Sequence, residues 1–295
     1  MSGEPRIRAV TPADLDPLCR FLEASFVGSG IGASVWRRLF EYQWLEEAHD
    51  HGLLLVAGDE IVGFLGTVHA RHPLRDGARF CNFSSWYVRP QYRGWGIALL
   101  VAASRDADTT YTSFTPSTLS QRAFAALQFT KLGGSRIFMP LFTHADTLTA
   151  PAPRIDCEPE VVRGLLDPAE QQVFDDHAPF GCLQLVIRSG TERAYLVIKR
   201  RVQRMPGRLL RSLPVRFPYS EVLYCSAPQL LAQHLERVKL AVLRRQRTGA
   251  LVADSRLWSV PPRGIALPNH AVYQSATLDG RGIDKLYSEL VLLPI

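Results

Sequence analysis

The chain has 295 residues, 46% of them apolar, and a formal net charge of +6. That length holds two ordinary domains or one large one, and that apolar content excludes global disorder. No apolar run approaches the roughly 18 residues of a membrane span, and the opening Met1-Ser2-Gly3-Glu4-Pro5-Arg6 lacks the apolar core of a secretory signal.

Cys19, Cys81, Cys157, Cys182 and Cys225 are scattered, without Cys-x-x-Cys spacing. Neither structural zinc nor a disulfide framework is expected, and a reducing cytoplasm fits best.

Arg6 to Val10 reads as a first strand. Thr11-Pro12-Ala13-Asp14 has the form of a helix start, and Leu15, Leu18, Cys19 and Leu22 follow at helical spacing. A second helix is expected over Val35 to Ala48. Gly52 to Gly58 and Ile61 to Arg71 read as strands joined by the turn Gly58-Asp59-Glu60. Arg79 to Val88 and Thr110 to Thr115 are further strands. Ser120 to Leu132 reads as a helix stopped by Gly133-Gly134, and Arg136 to Phe142 as a closing strand. Residues 146–160 are proline-rich and read as a linker.

The second half repeats the rhythm. Leu183 to Arg188 and Ala194 to Arg200 suggest a hairpin across Ser189-Gly190-Thr191. Glu221 to Ser226 is a strand, and a long amphipathic helix is expected from about Pro228 to Gln246. Leu251 to Asp254, Ala271 to Ser275 and Leu286 to Leu293 are strand-like.

Between the fourth strand and the apolar run Ile97 to Ala103 lies Gln91-Tyr92-Arg93-Gly94-Trp95-Gly96, a Gln-x-x-Gly-x-Gly pattern. Glycines let a ligand come close to the backbone, and a helix start offers N–H groups and a positive dipole end. Together they suit a diphosphate. A Walker loop is excluded, because Gly-Lys-Ser/Thr is missing.

The strand, the turn and the helix resemble the acyl-CoA motif of the GNAT superfamily, the Gcn5-related N-acetyltransferases. The resemblance covers roughly residues 6–143. It implies an α/β (α+β) fold, a mixed central sheet flanked by helices, followed by a second α/β unit read as a degenerate GNAT repeat. The expected division is a GNAT domain at 1–145, a linker at 146–160 and a second domain at 161–295. The last hairpin usual in the family is missing, since only one strand precedes the linker. The second unit lacks the glycine motif at Cys225-Ser226-Ala227-Pro228-Gln229 and is not expected to bind CoA.

The resemblance implies acetyl-CoA or another acyl-CoA as co-substrate, with no metal. Trp86, Tyr87, Val88, Gln91, Tyr92, Arg93, Gly94, Trp95 and Gly96 become the cofactor-binding candidates, and Arg89 can add charge. Ser85 to Val88 would offer backbone donors to the acyl carbonyl. The acid and base depart from the family pattern. Asn82 stands where many members carry glutamate, and Phe129 where many carry tyrosine. Tyr87, Tyr111, Ser117 and His69 remain as catalytic candidates. His69 and His72, three apart on a strand, face opposite sides and do not suit a metal.

Residues 1–150 carry 14 basic and 14 acidic side chains, while residues 151–295 carry 20 and 14. Much of the excess falls in Lys199, Arg200, Arg201, Arg204, Arg208, Arg211 and Arg216, read as a basic loop that meets an anionic partner. The leading reading is an acyl-CoA-dependent N-acyltransferase acting on a small amine, by direct amine attack on the thioester. A non-catalytic CoA-binding module and a tRNA-dependent aminoacyltransferase with paired GNAT units are the alternatives. No RNA-binding signature accompanies the basic stretch, so nucleic acid is not the expected partner.

Overall fold

The computed structural model describes residues 4–45, 50–204 and 216–294, with backbone alone at 203, 204 and 216. The chain divides into two units, neither continuous in sequence. The first contains residues 1–132, 270–283 and 287–293, and the second residues 133–269, 284–286 and 294–295.

The first unit begins with β1 (Arg6–Ala9), α1 (Leu15–Ser25) and α2 (Ala33–Trp36). α1 buries Leu18, Cys19, Phe21 and Leu22, the stripe its spacing foretells. The helix expected from Val35 to Ala48 is instead α2 and a 3-10 turn ending at Phe40, and its last three expected residues, 46–48, lie outside the described residues. Then come β2 (Gly52–Ala57), β3 (Glu60–His72), β4 (Ala78–Val88), α3 (Gly96–Ala103), β5 (Thr109–Ser113), α4 (Thr118–Ala126) and β6 (Thr130–Lys131).

The second unit begins with β7 (Ser135–Pro140), β8 (Arg154–Asp156), α5 (Pro159–Gly164) and α6 (Pro168–His177). It continues with β9 (Leu183–Ser189), β10 (Glu192–Arg204), β11 (Arg216–Cys225), α7 (Pro228–Gln233) and α8 (Leu235–Gln246). The long helix expected there is thus broken at His234. β12 (Ala250–Asp254) and β13 (Ile265–Pro268) complete this unit. β14 (Val272–Gln274) and α9 (Glu289–Leu292) belong to the first, so the strand expected at Leu286 to Leu293 contains a short helix.

Each unit holds a seven-stranded sheet. The first runs β1-β2-β3-β4-β5-β14-β6, and the second, read from β8, runs β8-β9-β10-β11-β12-β7-β13. The two orders match place for place. Each sheet has one parallel pair, β4 with β5 and β11 with β12. Each also has one extra residue in its fourth strand, where the register against the third strand slips.

The closing strand expected for the first sheet, Arg136 to Phe142, therefore lies elsewhere. As β7 it pairs with β12 and β13 in the second sheet, and β14 takes the sixth place in the first. This supplies the hairpin partner missing from the sequence pattern. Local patterning marks a strand but does not name its partner.

The expected linker is also structured. Arg154–Asp156 forms β8, an edge strand of the second sheet. Just upstream of the linker, Pro140 O (2.6 Å), Thr143 Oγ1 (3.0 Å) and His144 Nδ1 (3.1 Å) accept from Lys239, fully buried on α8 and paired with Glu236 (2.8 Å).

The basic stretch departs most from expectation. Lys199, Arg200, Arg201 and Arg204 lie in β10 and Arg216 opens β11, while Arg208 and Arg211 lie outside the described residues. Arg201 is 1% exposed and pairs with Glu221 (3.3 Å). Lys285 (2.8 Å) and Arg136 (3.4 Å) reach the same carboxylate. Lys199 is buried with its ammonium on Phe180 O, and Arg200 donates to Gln246 O. At least these three cations are engaged within the fold.

Burial works to raise the Glu221 pKa, but Lys285, Arg136 and Arg201 overturn that and hold it at about 2. A carboxylate so depressed contributes stability that is complete above its unfolded pKa of roughly 4.3 and is lost as pH falls toward the folded value. Glu221→Gln removes the carboxylate shared by buried Arg201 and Lys285 and half-buried Arg136 and is expected to cost roughly 3 kcal/mol at neutral pH. Urea denaturation across pH should also show a shallower loss of stability below about pH 4.3 in the variant. Equal stability at neutral pH, with parallel pH curves, would contradict this account of the network.

Candidate functional site

Along β4, Cys81 and Phe83 pack into the core shared with α3 and α4, and so do Trp86 and Val88. Simple alternation would turn Trp86 and Val88 to the opposite face. The change of phase occurs at Ser85, whose φ is +53°. β3 pairs with β4 as Gly66 with Ser84 and then Phe64 with Tyr87, so β4 carries one residue more across the gap. This is a β-bulge, with a non-glycine residue in the left-handed region.

The bulge coincides with a parting of strands. β4 pairs with β5 from Arg79–Thr109 to Asn82–Thr112 and no further. Beyond Asn82, the edge of β4 that faced β5 has no strand beside it among the described residues. Backbone groups left on such an edge require other partners.

β4 leads through Arg89 into a 3-10 turn, Pro90–Trp95, and directly into α3. The turn uses some of its own donors. Tyr92 N–H donates to Arg89 O (2.9 Å) and Gly96 N–H to Arg93 O. Tyr92, Trp95 and Trp86 anchor the turn on the core, and Trp86 meets Phe124 edge-on at 5.7 Å. Gln91, Arg93 and Gly94 are exposed. Arg89 is committed to Glu60 (2.7 Å) and lies over the Phe21 ring, whereas Arg93 has no ion pair among the described residues.

The two motif glycines differ. A Cβ on Gly96 would touch Trp86 at 3.6 Å, an ordinary contact. A Cβ on Gly94 would meet nothing within 4 Å, and its φ lies outside the left-handed region. Neither crowding within the chain nor backbone conformation calls for glycine there.

The four catalytic candidates fall at two ends of the parallel pair. Tyr87 follows the bulge, half-buried, with its ring against Phe21 and Phe26 (5.8 Å each). Ser117 lies past the end of β5 and caps α4, its hydroxyl accepting from Ser120 N–H (3.1 Å). These two share the C-terminal end of the pair with the turn 91–96.

Tyr111 and His69 sit on the third of the four rungs, but their side chains line a cavity toward the other end. Tyr111 pairs in register with Cys81, which pairs with His69. The Tyr111 ring stacks on Phe83 at 5.4 Å, and its hydroxyl accepts from Asp106 N–H (3.0 Å). Burial pushes its pKa up to about 12. His69 Nε2 is 3.9 Å from Cys81 Sγ and 3.7 Å from Asp50 Oδ1. Burial works against its charge, but Cys81 and Asp50 outweigh this and raise its pKa to about 10. Both residues line a cavity of about 300 Å³ with Arg79, Ala103 and Asp106, at the far end of α3 from the glycine turn.

The two departures from the family pattern have structural roles. Asn82 is fully buried, and its Nδ2 donates to Thr112 Oγ1 (3.1 Å) while its Oδ1 accepts from Glu289 N–H (3.1 Å). Phe129 is a core ring, 4.9 Å from Phe124. Sequence reasoning missed Glu289, because 207 residues separate it from Asn82 and no local pattern links them.

No family model matches this chain, and no curated protein matches it in sequence. Solved structures do resemble it. A Gcn5-related N-acetyltransferase from Anabaena variabilis superposes with a TM-score of 0.54 at 10% identity, over 92% of this chain and 72% of that one. A counterpart from Kribbella flavida gives 0.54 at 16% identity, over 92% and 71%. A putative acetyltransferase from Pyrococcus horikoshii gives 0.53 at 12% identity, over 98% and 93%. At such identities the likeness concerns the fold, and the fold is that of the Gcn5-related N-acetyltransferases.

Tyr111→Phe should remove one hydrogen bond to Asp106 N–H and cost about 1 kcal/mol of stability. It should leave CoA affinity unchanged in calorimetry. A loss of affinity without a loss of stability would contradict this structural role for Tyr111.

Proposed function

We propose that the first unit binds an acyl-CoA, acetyl-CoA in the simplest case, and transfers its acyl group to a primary amine. Attack is direct, from amine nitrogen to thioester carbon. The observation that carries this reading is Gly94. Glycine in a helical turn costs roughly 0.5–1 kcal/mol relative to alanine. Nothing within the chain calls for that cost, because the space a Cβ would enter is open. A ligand lying against the backbone accounts for it. The position, on a turn feeding the start of α3, suits a diphosphate.

Other groups take parts consistent with this. Gln91, Tyr92, Arg93, Gly94, Trp95 and Gly96 form the cradle, with exposed Arg93 as the cation free to meet a phosphate. Trp86, Tyr87 and Val88 follow the bulge, along the edge that β5 leaves open. Backbone N–H groups on that edge would polarise the thioester carbonyl. Tyr87 is the candidate to protonate the departing thiolate. His69, set beside Cys81 and Asp50, and Tyr111, turned toward Asp106, are not assigned to the reaction.

The second unit reads as a degenerate copy of the first. Its strand order and fourth-strand bulge match, but its helix begins at Pro228, which has no N–H, and Ser226 N–H is tied to Tyr195 O (3.0 Å). We assign no CoA to it. A small acceptor, with an anionic one suggested by the basic second half, completes the proposal. The burial of Arg201 and Lys199 removes part of the support for an anion-binding loop. The structural roles of Asn82 and Phe129 favour one other reading, a module that binds CoA without turnover.

Calorimetry with CoA and thiol release from acetyl-CoA separate these readings. One CoA per chain is expected. Gly94→Val should weaken it at least about tenfold, or 1.4 kcal/mol, while the ligand-free variant is no less stable than the wild type. Unchanged affinity in Gly94→Val would remove the cradle. Binding without thiol release would favour the non-catalytic module.

A further inference from the structure

We propose that the proton lost by the attacking amine is taken by a dyad of Thr115 and Glu289, brought to the parting of β4 and β5 by the C-terminal segment. The proposal rests on the transferase reading above and names the group that reading leaves unassigned. Tyr287–Leu293 belongs to the first unit and is buried throughout. The Tyr287 ring meets Trp44 at 5.2 Å and His72 at 5.1 Å, which fixes the segment on the sheet.

From there Glu289 touches both diverging strands. Its N–H donates to Oδ1 of Asn82, the last β4 residue paired with β5. Its Oε1 accepts from Thr115 Oγ1 at 2.8 Å, two residues past the end of β5. One residue thus spans the gap where the strands separate. Asn82 fits this as a positioning residue. It leaves no carboxylate on β4 but holds in place the backbone of one that arrives from the C-terminal segment.

The members of the dyad differ in exposure. Glu289 is 1% exposed, whereas Thr115 is exposed. The hydroxyl can therefore meet an acceptor while the carboxylate stays behind it. As the amine nitrogen bonds to the thioester carbon, its proton passes to Thr115 Oγ1, and the hydroxyl proton passes to Glu289. The C–S bond then breaks, the sulfur leaves with its electron pair and is protonated, and Glu289 returns its proton to solvent. Amine and acyl-CoA become amide and CoA thiol, with no further reactant. A shielded carboxylate behind a solvent-facing hydroxyl is suited to general-base work.

The test measures thiol release from acetyl-CoA by the full chain, with phosphoethanolamine, phosphoserine and lysine as amine probes. Thr115→Ala and Glu289→Gln are expected to lower kcat by about 10²–10⁴-fold, with CoA affinity unchanged. Thr115→Ser should restore most of the rate. The acidic limb of the kcat–pH profile should vanish in Glu289→Gln. Thr115 is exposed, so its variants keep the proposal testable even if Glu289→Gln fails to fold. An active wild type whose Thr115→Ala variant stays within about twofold, with the same pH profile, overturns the dyad alone. A wild type that binds CoA and releases no thiol with any probe overturns the transferase reading and the dyad with it.

Discussion

The separation of β4 from β5 is the constraint on which the candidate site depends. A parallel pair in a sheet normally satisfies its backbone groups along its whole length. Here the pairing stops at Asn82 and Thr112, and the bulge at Ser85 keeps it from resuming. The bulge also returns Trp86 and Val88 to the core face, so the open edge is gained without turning these side chains outward. A residue such as Ser85 at positive φ costs of order 1–3 kcal/mol and persists only where its surroundings determine it. Pairing with β3 on one side and the packing of Trp86 and Val88 on the other supply that determination.

The same device occurs twice, with different consequences. The second sheet also slips by one residue in its fourth strand, at Leu223, near the end of the short parallel pairing of β11 with β12. In the first unit the strand continues into a glycine turn. In the second it ends on Ser226, bound to Tyr195, and a helix headed by proline. The last paired residue of the fourth strand differs in kind as well. Asn82 holds the backbone of Glu289, whereas Glu221 gathers Lys285, Arg201 and Arg136. Two sheets of like strand order thus put a buried polar residue to different uses at one topological place.

How much of this was legible in the sequence varies with the range of the interaction that decides it. The strand from Arg79 to Val88 and the helix from Ile97 to Ala103 match β4 and α3 closely, because alternation and an apolar run are local signals. The turn could be read from Gly94 and Gly96, but not that the space beside Gly94 is open. Non-local pairing was hidden. β7 and β14 are short strands whose sequences do not state which sheet they complete. The arginine run misled for a related reason. With no acidic residue among its sequence neighbours it reads as a basic loop open to an anionic partner, yet Glu221, twenty residues beyond Arg201, places that guanidinium in the interior. Asn82 reads as a lost catalytic group until its contact with the far C-terminal segment is known.

The central claim is that the open edge of β4 and the turn that follows it form one binding surface for CoA. Hydrogen–deuterium exchange with and without CoA tests it most directly, since the claim concerns backbone amides. Saturating CoA should slow exchange in peptides covering residues 83–96 and leave those covering 223–230, the corresponding junction of the second unit, unchanged. Protection confined to 223–230, or absent from 83–96 while CoA is bound, would contradict the account.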